Sequence, residues 1–382
     1  MKIVYYLPSL YMSGGLERII TFKANYFAEH LGYDVTLLTS EQVGKQPYYK
    51  LSSKVKHVDL LVCFDMPGQH QSFVSKAVQY PFRYRVFKKR FNQFLLQHKP
   101  DITISTLRRE LNFINTLQDG SIKIGEFHVT RSAYHANALS GGNVFSDLIK
   151  KYWSKQFLEN ISRLSKFVLL TEEEKGNWSE LDNTLVINNP LPFFPQQVSA
   201  CTNKQVIAVG RYTAQKGFDM LIDAWKLVSE EHPDWILTIY GEGDREGLMK
   251  QIRALDLEDT CLLQPPVTEI TSKYVESSLF VLSSRFEGFG MVIVEAMACG
   301  VPPVSFACPC GPKDIINNGV DGLLVEKDNI KELAASICHL IEHDEVRKAM
   351  GTQARISSER FKMEYIAGQW KSLFESLIAS KK

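Results

Sequence analysis

The sequence contains no long hydrophobic run. Apolar residues make up 45% of its 382 positions, yet no stretch of them approaches the roughly 20 residues that a membrane-spanning helix needs. The apolar start, MKIVYYLPSLYM, carries one lysine and no small-residue cleavage pattern, and it passes directly into Gly14-Gly15. A first strand is expected there rather than a leader.

Nor is there an excess of either charge. The 44 basic side chains against 43 acidic ones leave no global field to attract nucleic acid. Paired cysteines are missing too: the seven thiols are odd in number and scattered, with no C-x-x-C, so neither a disulfide framework nor a zinc site is indicated and a reducing compartment fits. Cys308 and Cys310, which flank Pro309, make a poor metal pair alone and read as ordinary small buried residues. The glycine spacing G-x-G-x-x-G is missing after the first strand, which disfavours a nicotinamide dehydrogenase. One absence is local: between Asp65 and Asp101 there is no acidic residue, while Lys76, Arg83, Arg85, Lys88, Lys89, Arg90 and Lys99 all fall inside.

What is present is an alternation of apolar strand and amphipathic helix, the pattern of parallel sheets covered by helices. The length suggests two domains. Strands are predicted at 2–7, 34–39, 55–61, 101–106, 122–127 and 166–170. Pro190, Pro192 and Pro195 then break the pattern and hold the chain extended. It restarts with strands at 205–209, 235–240, 260–264, 278–284, 302–306 and 322–325. The predicted fold is α/β, with two Rossmann-like doubly wound domains at 1–188 and 204–362 joined by a linker over 189–203. Sheets of this kind take ligands outside the carboxyl ends of their strands.

The most informative stretch is FEGFGMVIVEAMACG, residues 286–300. It reads as a turn around Gly288 and Gly290 followed by a helix from about Met291. The free amides and positive dipole end of such a helix suit a phosphate. Glu287 lies in the turn and Glu295 on a helix of otherwise apolar residues, where a carboxylate needs a partner; an ordinary strand–turn–helix unit would place a backbone group or an arginine there instead. Upstream, the strand at 205–209 runs into Gly210-Arg211, with Lys216-Gly217 shortly after. Arginine as a bidentate fork and lysine as a point charge are the two usual ways to hold phosphate oxygens.

These motifs together resemble the nucleotide-binding domain of retaining GT-B glycosyltransferases, in particular glycosyltransferase family 4. The resemblance rests on Gly210-Arg211 with Lys216-Gly217, the Gly241-Glu242-Gly243 turn, and the E-x7-E pair Glu287 and Glu295. Gly311-Pro312 with Asp314-Ile315-Ile316, and Asn318-Gly319 with Asp321 to Val325, add to it. It covers residues 204–345 and reaches the first domain through Ser13-Gly14-Gly15-Leu16-Glu17-Arg18.

The resemblance implies that Arg211 and Lys216 clasp the donor diphosphate, supported by amides at the start of the helix (Met291, Val292) after Gly290. It implies that Glu295 holds the ribose hydroxyls, and that Glu287 with the amides of Gly288 and Phe289 holds the transferred sugar. Gly14 and Gly15 match the loop that approaches donor phosphate and acceptor. His128 matches the histidine that faces the donor sugar; a core histidine is the alternative. The donor is expected to be a nucleotide-sugar, uridine diphosphate being the commonest donor nucleotide in the family. In the family the sugar keeps its anomeric configuration, and the same is expected here. No metal or other cofactor is expected, and no Asp-x-Asp motif accompanies these elements.

The acid-free stretch predicts a helix from about 82 to 96, with Tyr84, Phe87, Phe91, Phe94 and Leu95 on one face. A basic helix with an aromatic face can lie on an anionic bilayer, or the face can pack into the domain core while the charges are solvated. Relatives in the family that build polyprenyl-diphosphate-linked oligosaccharides use a basic helix at the membrane, so Arg83, Arg85, Lys88, Lys89 and Arg90 are expected to meet the acceptor or the membrane. The expectation is a bacterial, cytoplasmic enzyme, peripheral on the inner face of the plasma membrane, adding a hexose or N-acetylhexosamine to a lipid-linked or surface-glycan precursor. The C-terminal segment 363–382, with Ile366, Trp370, Leu373, Phe374 and Leu377 on one face, is expected to pack on the first domain. Two rivals share the architecture: a nucleotide-sugar epimerase, which needs an additional acid/base set, and a non-catalytic nucleotide-sugar-binding protein.

Overall fold

The computed structural model describes residues 1–64, 73–132, 134 and 144–381. It divides into two compact units. One comprises Met1–Leu170, Lys175–Pro190 and Met363–Lys382, the other Thr171–Glu174 and Leu191–Lys362.

The first unit is built on a seven-stranded parallel sheet in the order β3-β2-β1-β4-β5-β6-β7. Its strands are β1 Lys2–Tyr6, β2 Asp34–Thr39, β3 Lys56–Asp59, β4 Ile102–Ser105, β5 Ile122–Glu126, β6 Lys166–Leu169 and β7 Thr184–Val186. Side chains alternate across a strand, so β1 feeds two cores. Ile3 and Tyr5 meet Ile20, Ala24 and Phe27 of the Gly15–Glu29 helix, together with Ile366, Trp370 and Phe374 of the C-terminal Met363–Lys381 helix. Val4 and Tyr6 turn to the opposite face, against Phe87, Phe91, Phe94 and Leu95.

That second contact decides between the two readings of the aromatic helix. It runs Phe73–His98, and its aromatic face is the core of this unit: Phe87 and Phe91 are fully buried, each edge-on to Phe113. Of the two readings, the one that packs this face into the domain core holds, because the sheet's second face has to be covered and these rings cover it. Strand β7, only three residues long and half-buried throughout, was not predicted; its hydrophobic signal is too short to stand out.

The second unit carries a six-stranded parallel sheet in the order β10-β9-β8-β11-β12-β13. The strands are β8 Gln205–Val209, β9 Ile236–Tyr240, β10 Cys261–Gln264, β11 Leu279–Leu282, β12 Pro303–Phe306 and β13 Leu323–Val325. The helices Phe218–Glu231 and Ile330–Glu342 pack on one another, as do Met291–Ala298 and Asp344–Ser358. The proline-rich segment does not run free: Leu191 donates to the Phe361 carbonyl, Arg355 to that of Pro195, and Ser199 to that of Cys299, which binds residues 191–203 to this unit. Among the described residues no helix is long and apolar enough to cross a membrane.

Candidate active site

In the second sheet, β8 continues to β9 and β10 on one side and pairs with β11 on the other. The order of the strands reverses there, which is the usual ligand position in an open parallel sheet. One of these loops carries Gly210 to Gly217 and the other Ser283 to Gly290.

The two loops are bound to each other. Ser283 Oγ donates to the Lys216 carbonyl at 3.0 Å, Gln215 Nε2 to the Phe286 carbonyl at 3.0 Å, and Arg285 to the Ala214 carbonyl at 2.7 Å. Gly217 makes this approach possible. It has φ +61°, and a Cβ there would lie 2.1 Å from the Ser283 carbonyl oxygen. Gly241 allows a similar closeness, since its Cβ would meet the Gly210 oxygen at 2.0 Å. Tyr212 locks the base of the first loop by donating to the carbonyls of Ile239 and Gln264, and burial pushes its phenol up to about 12.

Glu287 is buried at 6% exposure. Its Oε1 accepts from Lys216 Nζ at 2.7 Å and from Ser284 Oγ at 2.6 Å, so a fixed ion pair sits at the end of β11. Phe289 and Gly290 follow, with Gly290 at φ +96° capping the Met291–Ala298 helix without any side-chain cap bond. Gly311, at φ +133°, lets the next loop touch this turn, because a Cβ would lie 1.9 Å from the Phe289 oxygen. Among the described residues, the amides of Gly288, Phe289, Gly290, Met291 and Val292 donate to no protein acceptor. These are the orphan donors of a helix start, aimed with its dipole.

The other predicted residues fall around this turn. Arg211 is exposed and its guanidinium meets no carboxylate or carbonyl among the described residues. Glu295 is 3% exposed inside the helix and accepts from the Tyr274 hydroxyl at 3.4 Å. Thus Arg211, Lys216, Glu287, Gly288 to Val292 and Glu295 belong to one pair of neighbouring loops and the helix that follows.

Gly14, Gly15 and His128 lie in the first unit. Its sheet reverses between β1 and β4, and Gly14 caps the Gly15–Glu29 helix that follows β1. Glu17, in the first turn of that helix, has its carboxyl raised by burial and eased downward by Arg108 and His128. His128 follows β5. Its Nε2 lies 3.1 Å from Glu126 Oε1, an ion-pair distance without hydrogen-bond alignment. The same carboxylate pairs with buried Lys23, whose ammonium donates to Tyr5 Oη at 3.0 Å and lies over the Trp370 ring; burial pulls the Lys23 ammonium well down from its ordinary value.

Sequence reasoning missed Glu126, Lys23, Ser284 and Tyr274, none of which stands in a motif. Two left a signal. Glu126 and His128 are two apart at a strand's end, which puts them on one face, and Lys23 interrupts the apolar stripe Ile19, Ile20, Ala24 and Phe27.

The basic positions separate into two groups. Arg83 donates to the carbonyls of Cys63 and Phe64, and Arg90 to those of Leu60 and Leu61, so both close the loop after β3. Arg85, Lys88 and Lys89 are exposed.

Residues 192–357 match the family described as Glycosyl transferases group 1. Along its length the chain is 28% identical over 379 residues to an uncharacterized glycosyltransferase of Haemophilus influenzae, covering 97% of this chain and 99% of that one. It is 26% identical over 389 residues to the amylovoran biosynthesis glycosyltransferase AmsD of Erwinia amylovora, again 97% and 99%. The solved structure of sucrose-phosphate synthase from Thermosynechococcus elongatus matches with a TM-score of 0.81 over 99% of both chains at 18% identity, a likeness of fold. The chain is a glycosyltransferase with the GT-B fold.

Proposed function

We propose that this enzyme moves a hexose or N-acetylhexosamine from a nucleotide-sugar, with uridine diphosphate as the leaving group, to a polyprenyl-diphosphate-linked saccharide or another surface-glycan precursor, with retention and without a metal. The observation that carries the reading is the turn Gly288 to Val292, whose amides have no protein acceptor among the described residues and which stands beside the Lys216–Glu287 pair. The relationship to a glycosyltransferase of amylovoran biosynthesis supports placing the acceptor among surface glycans.

On this reading the diphosphate lies against the helix start, with Arg211 and Lys216 as cations. A departing nucleoside diphosphate needs its growing charge stabilised more than it needs a proton, so fixed amides and cations replace the general acid of a glycosidase. Glu295 takes the ribose hydroxyls and Glu287 the sugar hydroxyls, each through a carboxylate already fixed by Tyr274 or Lys216. His128 is assigned to the transferred sugar and Glu126 to positioning its ring. The exposed Arg85, Lys88 and Lys89 are assigned to the anionic acceptor or membrane through charge alone.

The test is a panel of UDP-, GDP-, ADP- and dTDP-sugars offered with a polyprenyl-diphosphate-linked saccharide, with the product read by mass and by the anomeric proton coupling. One UDP-sugar consumed with its anomeric configuration kept supports the reading. Turnover of another nucleotide, inversion at the anomeric carbon, or dependence on an added divalent cation overturns the corresponding part.

A further inference from the structure

Away from the donor loops, the second unit gathers a different set of groups. The Phe218–Glu231 helix stops at His232 because Pro233 follows, and the residue before a proline leaves helical geometry. That exit brings His232 and Glu231 to the last turn of the Ile330–Glu342 helix, where Cys338 and Glu342 stand four residues apart on one face. A carboxylate oxygen of Glu231, an imidazole nitrogen of His232 and the Cys338 sulfur lie within 4.8 Å of one another.

Three features single out this cluster. His232 Nε2 is buried and makes no hydrogen bond; its nearest carboxylate oxygen, Glu342 Oε1, is 3.4 Å away. Cys338 is 8% exposed and stands one turn before Glu342 on the same helix. Both helices end here, so their negative dipole ends add to the negative charge. A buried sulfur and a buried imidazole nitrogen without a hydrogen bond thus stand beside two carboxylates, Glu231 exposed and Glu342 about half exposed, a set of soft and hard donors open to a cation from solvent.

We propose that Glu231, His232, Cys338 and Glu342 bind a thiophilic divalent cation of the zinc class. One sulfur, one nitrogen and two carboxylate oxygens make a four-donor tetrahedral set. Donors around such an ion stand about 3–4 Å apart, so Glu231, His232 and Cys338 need only a short side-chain adjustment, with Glu342 joining from beside His232. The ion ties the ends of two packed helices. One of them starts at Phe218, directly after Lys216-Gly217, and its 14 residues put the cluster about 20 Å along the axis from the donor loops. The role is a staple that steadies the helix behind the Lys216 loop, independent of the sugar-transfer chemistry. The sequence hides it because the two pairs of ligands are more than a hundred positions apart.

The experiment is a titration of the reduced, metal-stripped full-length chain with Co2+, followed by the thiolate-to-cobalt charge-transfer band and by competition with Zn2+. The expected result is saturation at one ion per chain and displacement by Zn2+. The band should vanish in Cys338→Ser, and affinity should fall by at least about tenfold in His232→Ala. Zn2+ should also raise the melting temperature of the wild type but not of Cys338→Ser, with circular dichroism showing both folded. Absence of the band, or the same band in Cys338→Ser, overturns the proposal; His232→Ala, at a helix end, keeps the test open if the cysteine variant fails to fold.

Discussion

Lys216 Nζ and Glu287 Oε1 stand 2.7 Å apart with their side chains 15% and 7% exposed, which joins the loop after β8 to the loop after β11 by an ion pair largely out of water. The pair serves the fold and the site at once. Lys216→Ala should lower kcat by about 10²–10³ through lost charge stabilisation, and should also destabilise the unit by roughly 1–3 kcal/mol because Glu287 keeps its burial without its cation. Steady-state kinetics and urea unfolding of the same variant measure both effects. A rate loss with unchanged stability would show that the pair does not hold the loops.

Arg211 separates binding from folding. With its guanidinium exposed and without a protein partner among the described residues, Arg211→Ala should leave stability within about 0.5 kcal/mol of wild type. Losses of nucleotide affinity and of rate, without a loss of stability, should be its effect. Calorimetric titration alongside thermal unfolding checks this, and a large drop in melting temperature would contradict it.

Gly217 is needed for shape. Alanine there combines φ +61° with a Cβ 2.1 Å from a carbonyl oxygen, so Gly217→Ala should cost at least about 1–3 kcal/mol and displace Lys216. Gly247, whose Cβ would meet nothing within 4 Å, is the control: Gly247→Ala should be neutral or slightly stabilising. Equal urea midpoints for the two variants would refute the steric argument.

Phe91 and Lys89 test the core-packed reading of the Phe73–His98 helix. Phe91→Ala should cost about 3–5 kcal/mol as a core truncation, whereas Lys89→Glu should leave stability nearly unchanged and weaken any binding to anionic vesicles. Sedimentation with vesicles and chemical unfolding distinguish them. A Phe91→Ala protein of full stability would return the ring to the surface.

The pair of Asp219 and Arg285 gives a pH signature. Hydrogen bonds from Arg285 hold the Asp219 carboxyl below its ordinary value of 3.8. A depressed folded value means that the stabilisation is present above about pH 4 and disappears as pH falls through the folded value. The partners are a third or more exposed, so the effect is small and screened by salt. Asp219→Asn should show a shallower acid limb in unfolding curves below pH 4, with the difference shrinking in high salt.

Most strands could be read from the sequence because β1, β2, β4, β5, β11 and β12 are buried on both faces and so appear as near-continuous apolar runs. The turn at Gly288 to Gly290 was readable because glycine and acid stand at a fixed offset from an apolar helix. Partnerships were not. Nothing in the spacing says that Glu287 takes Lys216 and Ser284, that Glu295 takes Tyr274, or that Lys23 crosses to Glu126, since each depends on which strands become neighbours. The aromatic helix left two answers open for the same reason: an amphipathic face shows that something covers it, and only the sheet shows what.

The most direct test of the central claim is calorimetric titration of the wild type with UDP, GDP, ADP and dTDP, repeated on Arg211→Ala and Glu295→Ala. The account predicts that UDP binds and that both substitutions weaken it, with a melting shift worth about 2.7 kcal/mol when UDP is present at 100 times its dissociation constant. Binding that is indifferent to both substitutions, or no binding of any nucleoside diphosphate, would contradict the assignment of the Gly288 to Val292 turn as the donor site.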